Sequence, residues 1–229
     1  MDIAIKDITF IIVTFKSENI IEDCLNSIPK ESKKLIIENS QNLNLKRELE
    51  AKYDNIEVII SENLGMGASN NIGLKKCKTK FAYILNPDVK LKNDTINIII
   101  ESLKQLEDFS ILSPINSDLK NPNYSLKNQN EISSTNILNV KYIDGFSMLI
   151  NLNKFPEKIF FDENFFLYLE NNDLCLRTIN KKQNIYIIKN AFIDHTGGIG
   201  SSHSDKILEK KIEYLRNWHW MWSKFYFNK

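Results

Sequence analysis

Four short runs, residues 8–14, 34–38, 56–60 and 81–85, are apolar almost throughout, and helical periodicity fills the spaces between them. After the first run, Ile20, Ile21, Cys24, Leu25 and Ile28 fall at i, i+1, i+4, i+5 and i+8, one face of an amphipathic helix. Further helical stretches are expected at 43–53, 68–76 and 95–106, the last with Asp94 as its N-cap. A strand that is apolar on both faces must be covered on both faces. Strands of this kind separated by helices predict an α/β fold, a Rossmann-like, mostly parallel central sheet flanked by helices. Ligands of such sheets bind outside the carboxyl ends of the strands.

The second half is less regular. Residues 111–114 read as a short strand, and 116–139, rich in Asn, Ser and Lys, as a long surface loop. Segments 140–150 and 160–169 are apolar and aromatic, 173–182 reads as a helix, and 185–188 and 191–193 as two short strands. A terminal amphipathic helix is expected in which Leu208, Ile212, Leu215, His219 and Trp222 share a face. With 229 residues, 42% apolar content and no linker-like stretch, one domain is expected over 1–229. It divides into a ligand-binding half (about 1–110), an acceptor-side region (about 111–203) and the terminal helix (204–229).

The net charge of +1 excludes the bulk attraction that drives nucleic-acid binding, so nucleic acid is not an expected partner. The three cysteines, Cys24, Cys77 and Cys175, are widely spaced in apolar helical patterns and predict buried thiols in a reducing compartment. No secretory leader pattern and no run near the ~18 apolar residues of a spanning helix is seen. A cytoplasmic protein is expected, at most peripheral on the inner face of the membrane.

Polar residues follow each predicted strand. They are Thr14-Phe15-Lys16-Ser17-Glu18, Glu38-Asn39-Ser40, Asn63-Leu-Gly65-Met-Gly67-Ala-Ser-Asn70-Asn71, and Asn86-Pro87-Asp88. Carboxylates and amides at four successive strand ends, with a glycine loop that admits a ligand to the backbone, suit a nucleotide. A dinucleotide fingerprint fails here: its third glycine is Asn70, and the loop follows the third strand instead of the first.

Taken with Phe165-Phe-Leu-Tyr168-Leu-Glu170-Asn-Asn-Asp173-Leu-Cys175-Leu-Arg177, this ordered series resembles the family 2 glycosyltransferases of GT-A fold. It is most similar to their bacterial rhamnosyltransferase-like branch, over roughly residues 8–200. The resemblance implies inverting transfer of a sugar from a nucleoside-diphosphate donor, of dTDP-rhamnose or UDP-hexose type, to a hydroxyl of a surface glycan or its lipid-linked precursor. Thr14, Phe15 and Glu18 would line the nucleoside pocket, and Glu38 would stand where relatives carry a base-binding aspartate. Asn63, Gly65, Asn70 and Asn86 would lie along the ribose and diphosphate. Asp88 would hold Mg2+ or Mn2+, with His195 beside it. One carboxylate suffices for magnesium, which keeps waters and binds substrate phosphates.

Direct displacement needs a base for the attacking hydroxyl. The candidates are Glu170 and Asp173, one turn apart at a helix start; Glu170 is preferred, because its aromatic surroundings would raise its pKa. Many relatives carry Glu-Asp where this chain has Glu170-Asn171. Gly145 and Tyr168 would lie on the acceptor side. The segment 218–229, aromatic and lysine-bearing, suits either packing on the domain or a membrane interface. Two further classes stay open: a non-catalytic sugar-nucleotide-binding homologue and a sugar-phosphate nucleotidylyltransferase.

Overall fold

The computed structural model describes residues 3–106, 108–127, 135–197 and 206–229, with side chains omitted over 206–209. Strand β1 (Ile8–Thr14) is buried at all seven positions and pairs in parallel with β2 (Lys33–Glu38) on one side and β4 (Phe81–Leu85) on the other. Beyond β2 lies β3 (Ile56–Ile60), also parallel.

Alternation along β1 assigns its side chains to two core layers. Ile8, Phe10 and Ile12 meet α1 (Ile21–Ser27), α2 (Leu43–Lys52) and α4 (Thr95–Gln105) through Leu25, Leu49 and Ile99. Ile11 faces the opposite layer, with Leu74 of α3 (Met66–Lys76) and Leu174 of α5 (Glu170–Asn180). Helix α3 sits so close to the sheet that a Cβ on Gly73 would come 2.6 Å from Ile11 Cγ2.

Past β4 the sheet continues through β9 (Ser147–Asn151), β6 (Ile111–Asn116), β10 (Ile185–His195), β8 (Ile137–Ile143) and β7 (Tyr124–Leu126), with β5 (Val89–Leu91) pairing to β10. Strands β9, β8 and β5 run against the rest, so seven of the ten strands point one way. The mostly parallel α/β architecture holds.

Several local expectations change. Residues 185–193 form one strand with a register shift between Ile188 and Phe192, because β6 pairs with it on both sides of the irregularity. The segment 116–139 is not all loop: it contributes β7 and the start of β8, and buried Asn123 donates to Pro114 O at 2.9 Å. Residues 128–134 of it lie outside the described residues. Asp94 occupies the N-cap position of α4 at φ 64°, but its side chain makes no capping bond. Cys24 and Cys175 are buried thiols, whereas Cys77 is only half-buried.

Helix α6 (Lys206–Phe227) does not dock squarely by the face that Ile212, Leu215, His219 and Trp222 share, and the Leu208 side chain lies outside those described. Leu215 and Trp222 are 59% and 43% exposed. The helix docks instead through His219 stacked on Phe166, Ser223 Oγ donating to Leu167 O at 2.8 Å, and Tyr226 OH donating to Asp162. Segment 162–168 offers open carbonyls and ring faces, and these outcompete simple apolar periodicity. Among the described residues no helix is long and apolar enough to cross a membrane.

Candidate active site

The ends of β1 and β2 are locked together: Asn39 N donates to Thr14 O at 2.8 Å, and buried Thr14 turns its Oγ1 to Ile37 O at 3.4 Å. Phe15 stands just beyond, 42% exposed. Glu38 is fully buried, and its carboxylate closes the following turn. Oε1 accepts from Ser40 N at 3.0 Å and from the Ser40 hydroxyl, while Oε2 accepts from Asn42 N at 2.6 Å. Asn42 caps α2 with Oδ1 and gives its amide to Glu18 Oε1 at 2.6 Å. Glu38 and Glu18 therefore hold the rim of the crevice in shape, leaving Glu38 little spare acceptor capacity for a base.

The loop before α3 requires glycine. Gly65 has φ 90°, and a Cβ there would lie 2.2 Å from Phe166 O, the same carbonyl that accepts from Met66 N at 3.0 Å. Exposed Asn63 bends over this turn, its Oδ1 accepting from Gly65 N at 3.3 Å. Asn70 is buried, with its amide on Met66 O at 3.0 Å.

Asn86-Pro87-Asp88 turns between β4 and β5. Pairing of β5 with β10 sets Val89 opposite His195, so Asp88 Oδ2 lies 3.4 Å from His195 Nε2. The two side chains are 10% and 20% exposed. Phe146 stacks on the His195 ring at 3.9 Å, and its carbonyl accepts from Asn86 N at 2.9 Å. Asp144, two residues earlier, has its carboxyl pushed up by burial, partly offset by His195. Among the described residues no three His, Cys, Asp or Glu side chains converge to hold a metal. Asp88 and His195, with the unpartnered Asn86 Oδ1 nearby, fit a hard divalent cation that brings water and phosphate oxygens of its own.

Glu170 opens α5, after two successive left-handed residues, Tyr168 (φ 72°) and Leu169 (φ 64°). It is wedged between two glycines. A Cβ on Gly67 would approach Glu170 Cβ at 3.4 Å, and one on Gly145 would approach Glu170 Oε1 at 3.7 Å. Burial raises its pKa to about 7, and Oε2 has no protein partner. Its neighbours are committed elsewhere: Asn171 Nδ2 donates to Ile143 O at 2.8 Å, and Asp173 Oδ2 accepts from Arg177 at 2.8 Å. Tyr168 meets Trp220 of α6 edge to face at 5.6 Å.

Seven buried side-chain polar atoms among the described residues lack a partner, and four belong to this crevice: Asn39 Oδ1, Asn70 Oδ1, Asn86 Oδ1 and Glu170 Oε2. Buried polar atoms are mostly satisfied in folded proteins, so this concentration suits a site completed by a polar ligand or by water. Asn39 was read from sequence only as part of its strand-end motif, with no role, and Asp144 and Phe146 were not chosen. The neighbours in chain of Asp144 and Phe146 were chosen, and their packing around His195 brings these two to the site as well. The glycine-rich continuation after His195, from residue 198, lies outside the described residues.

The Glycosyl transferase family 2 model matches residues 9–177, which holds all of these side chains except His195 and Trp220. The chain is 25% identical over 202 residues to the low-salt glycan biosynthesis hexosyltransferase Agl10 of Haloferax volcanii, covering 80% of this chain and 64% of that protein. It is 26% identical over 197 residues to the rhamnosyltransferase WbbL of Escherichia coli, covering 73% and 75% respectively. GalNAc-T7, solved with UDP, GalNAc and Mn2+, superposes with a TM-score of 0.66 at 10% identity, over 85% of this chain and 45% of its own. The sheet, the strand-end motifs and the matched span agree: this chain belongs to glycosyl transferase family 2.

Proposed function

We propose that the protein transfers a sugar, with inversion, from a nucleoside-diphosphate donor of dTDP-rhamnose or UDP-hexose type to a hydroxyl of a bacterial surface glycan or its lipid-linked precursor. The observation that carries this is Glu170: a carboxyl buried between the glycines of the donor loop and the β8–β9 turn, with one unpartnered oxygen and a pKa near 7. Family membership and hexosyl- and rhamnosyltransferase relatives support the reaction class.

In this scheme the donor lies along the ends of β1, β2 and β4. Phe15 covers the base, Asn70 and the backbone of the Gly65 turn face the ribose and diphosphate, and Glu18 and Glu38 keep the rim closed. Asp88 and His195 would hold Mg2+ or Mn2+. When bound, the cation neutralises the charge that builds on the departing diphosphate. Glu170 Oε2 takes the proton of the acceptor hydroxyl as that oxygen attacks the anomeric carbon. The bond from carbon to the diphosphate oxygen breaks, and nucleoside diphosphate leaves from the opposite face. A pKa near the working pH suits a base of this kind.

Thermal-shift screening of nucleotide sugars with and without Mn2+, followed by a transfer assay on the ligand that binds, tests the proposal. Failure of every nucleotide sugar to shift the melting temperature would sink it. A non-catalytic homologue is the second reading, favoured by Asn171, an amide bonded to Ile143 O at a position where the family resemblance leads one to expect an acid. Donor hydrolysis or transfer above background dismisses it.

A further inference from the structure

All three tryptophans of the chain, Trp218, Trp220 and Trp222, fall within five residues of α6, and all are between 43% and 59% exposed. The helix has two opposed stripes. His219, Ser223 and Tyr226 face the body. Tyr214, Trp218, Met221 and Phe225, at i, i+4, i+7 and i+11, lie on the outer side and are 59–75% exposed. Exposed Lys210, Lys211, Lys224 and Lys229 flank this outer stripe, and α6 with the two residues after it carries six Lys and Arg against two Glu in a chain of net charge +1. The groove between Trp220, Met221, Lys224, Phe225, Asn228 and Lys229 has a volume of about 580 Å3, with walls largely apolar and two ammonium groups at its rim.

We propose that the outer stripe of α6 is a docking surface for an anionic lipid bilayer, which it grips with aromatic side chains at headgroup depth and lysines on lipid phosphates. Charge complementarity selects this occupant. A second copy of the helix would bring lysine against lysine, whereas an anionic leaflet attracts them, and aromatic rings beside lysines are the chemistry of interfacial helices. The docked helix is joined to the acceptor side of the crevice. Trp220 packs on Tyr168, His219 on Phe166 and Ser223 on Leu167, and this same segment turns through the left-handed pair into Glu170. The bilayer thus lies beside the entry to Glu170, which suits an acceptor sugar carried on a lipid; this last step rests on the glycosyltransferase reading above.

The test is co-sedimentation of the full chain with vesicles of phosphatidylglycerol and phosphatidylcholine, against phosphatidylcholine alone. The protein should pellet with the anionic vesicles, and its partition should drop at least tenfold without phosphatidylglycerol, since each lysine near an anionic surface contributes roughly fivefold. Trp218→Gln with Phe225→Gln, and separately Lys210→Glu with Lys224→Glu, should stay in the supernatant with unchanged melting temperature and nucleotide-sugar shift. Wild type remaining in the supernatant, either double variant pelleting like wild type, or α6-dependent dimers that vesicles do not disperse would overturn the proposal. The nucleotide-sugar shift is read on the same samples without lipid, so failure of the donor assignment shows separately.

Discussion

His195 Nε2 lies 3.4 Å from Asp88 Oδ2, brought there by the three-residue strand β5 folding back on the end of β10. This contact, with Phe146 stacked behind the imidazole, gives the crevice a paired acid and histidine at the diphosphate position of our scheme.

Asp88→Asn keeps the size of the side chain and removes its charge. Transfer should fall by about 100-fold or more, because a metal's charge stabilisation is worth several kcal/mol, and Mn2+ should bind more weakly by electron paramagnetic titration. His195→Gln should cost less, since water can replace one neutral ligand. Chelation by EDTA should abolish turnover, and Mn2+ or Mg2+ should restore it. An Asp88→Asn protein with full metal-dependent activity would remove Asp88 from the site.

Glu170→Gln should lower transfer by about 10²–10⁴-fold while leaving nucleotide-sugar binding intact. In the wild type, kcat/KM should fall as pH drops through about 7, because the base must be ionised. The same group has a stability signature. A carboxyl whose folded pKa is raised loses native stability as pH climbs from its unfolded value near 4.5 to about 7. The loss is of order 3 kcal/mol at most. The Gln variant lacks this penalty, so its melting temperature should exceed wild type at pH 8 and match it at pH 4.5. Equal pH–stability curves would contradict the burial argument.

Asn171→Asp places a carboxylate against the Ile143 carbonyl in place of a 2.8 Å donated hydrogen bond. Restoring the acid common in relatives should therefore destabilise the fold, by about 1–3 kcal/mol, and should not raise transfer. Chemical denaturation and a transfer assay read the two effects. A faster Asn171→Asp enzyme would shift the base away from Glu170.

Gly65→Ala meets both a positive φ and a backbone oxygen 2.2 Å from the new methyl. It should cost more than about 1 kcal/mol and loosen the Met66–Phe166 bond, weakening donor binding in the same thermal-shift assay. Glu38→Ala should likewise destabilise by roughly 1–3 kcal/mol, by stranding the Ser40 and Asn42 backbone donors. A Glu38→Ala protein of wild-type stability would return that carboxylate to base recognition.

The sequence by itself determined the strands of the first half, whose bounds at β1, β3 and β4 follow directly from unbroken apolar runs, and with them the parallel α/β class. From the aromatic neighbours of Glu170 it also predicted a raised pKa for that carboxyl, and burial raises it to about 7. The folded structure decided what the polar side chains of the site are bonded to. Two of these side chains are held locally, Asp173 by Arg177 one turn on in the same helix and Glu38 by the backbone of its own turn, whereas the Asn171 amide is held by a carbonyl on another strand. The fold also made one strand of 185–193, turned α6 so that Trp218 lies on its outer side while Trp220 packs on Tyr168, and set Asp88 against His195. Apolar periodicity records which residues leave water. Hydrogen bonds between distant segments depend on strand order and register, and these emerge only when the whole sheet assembles.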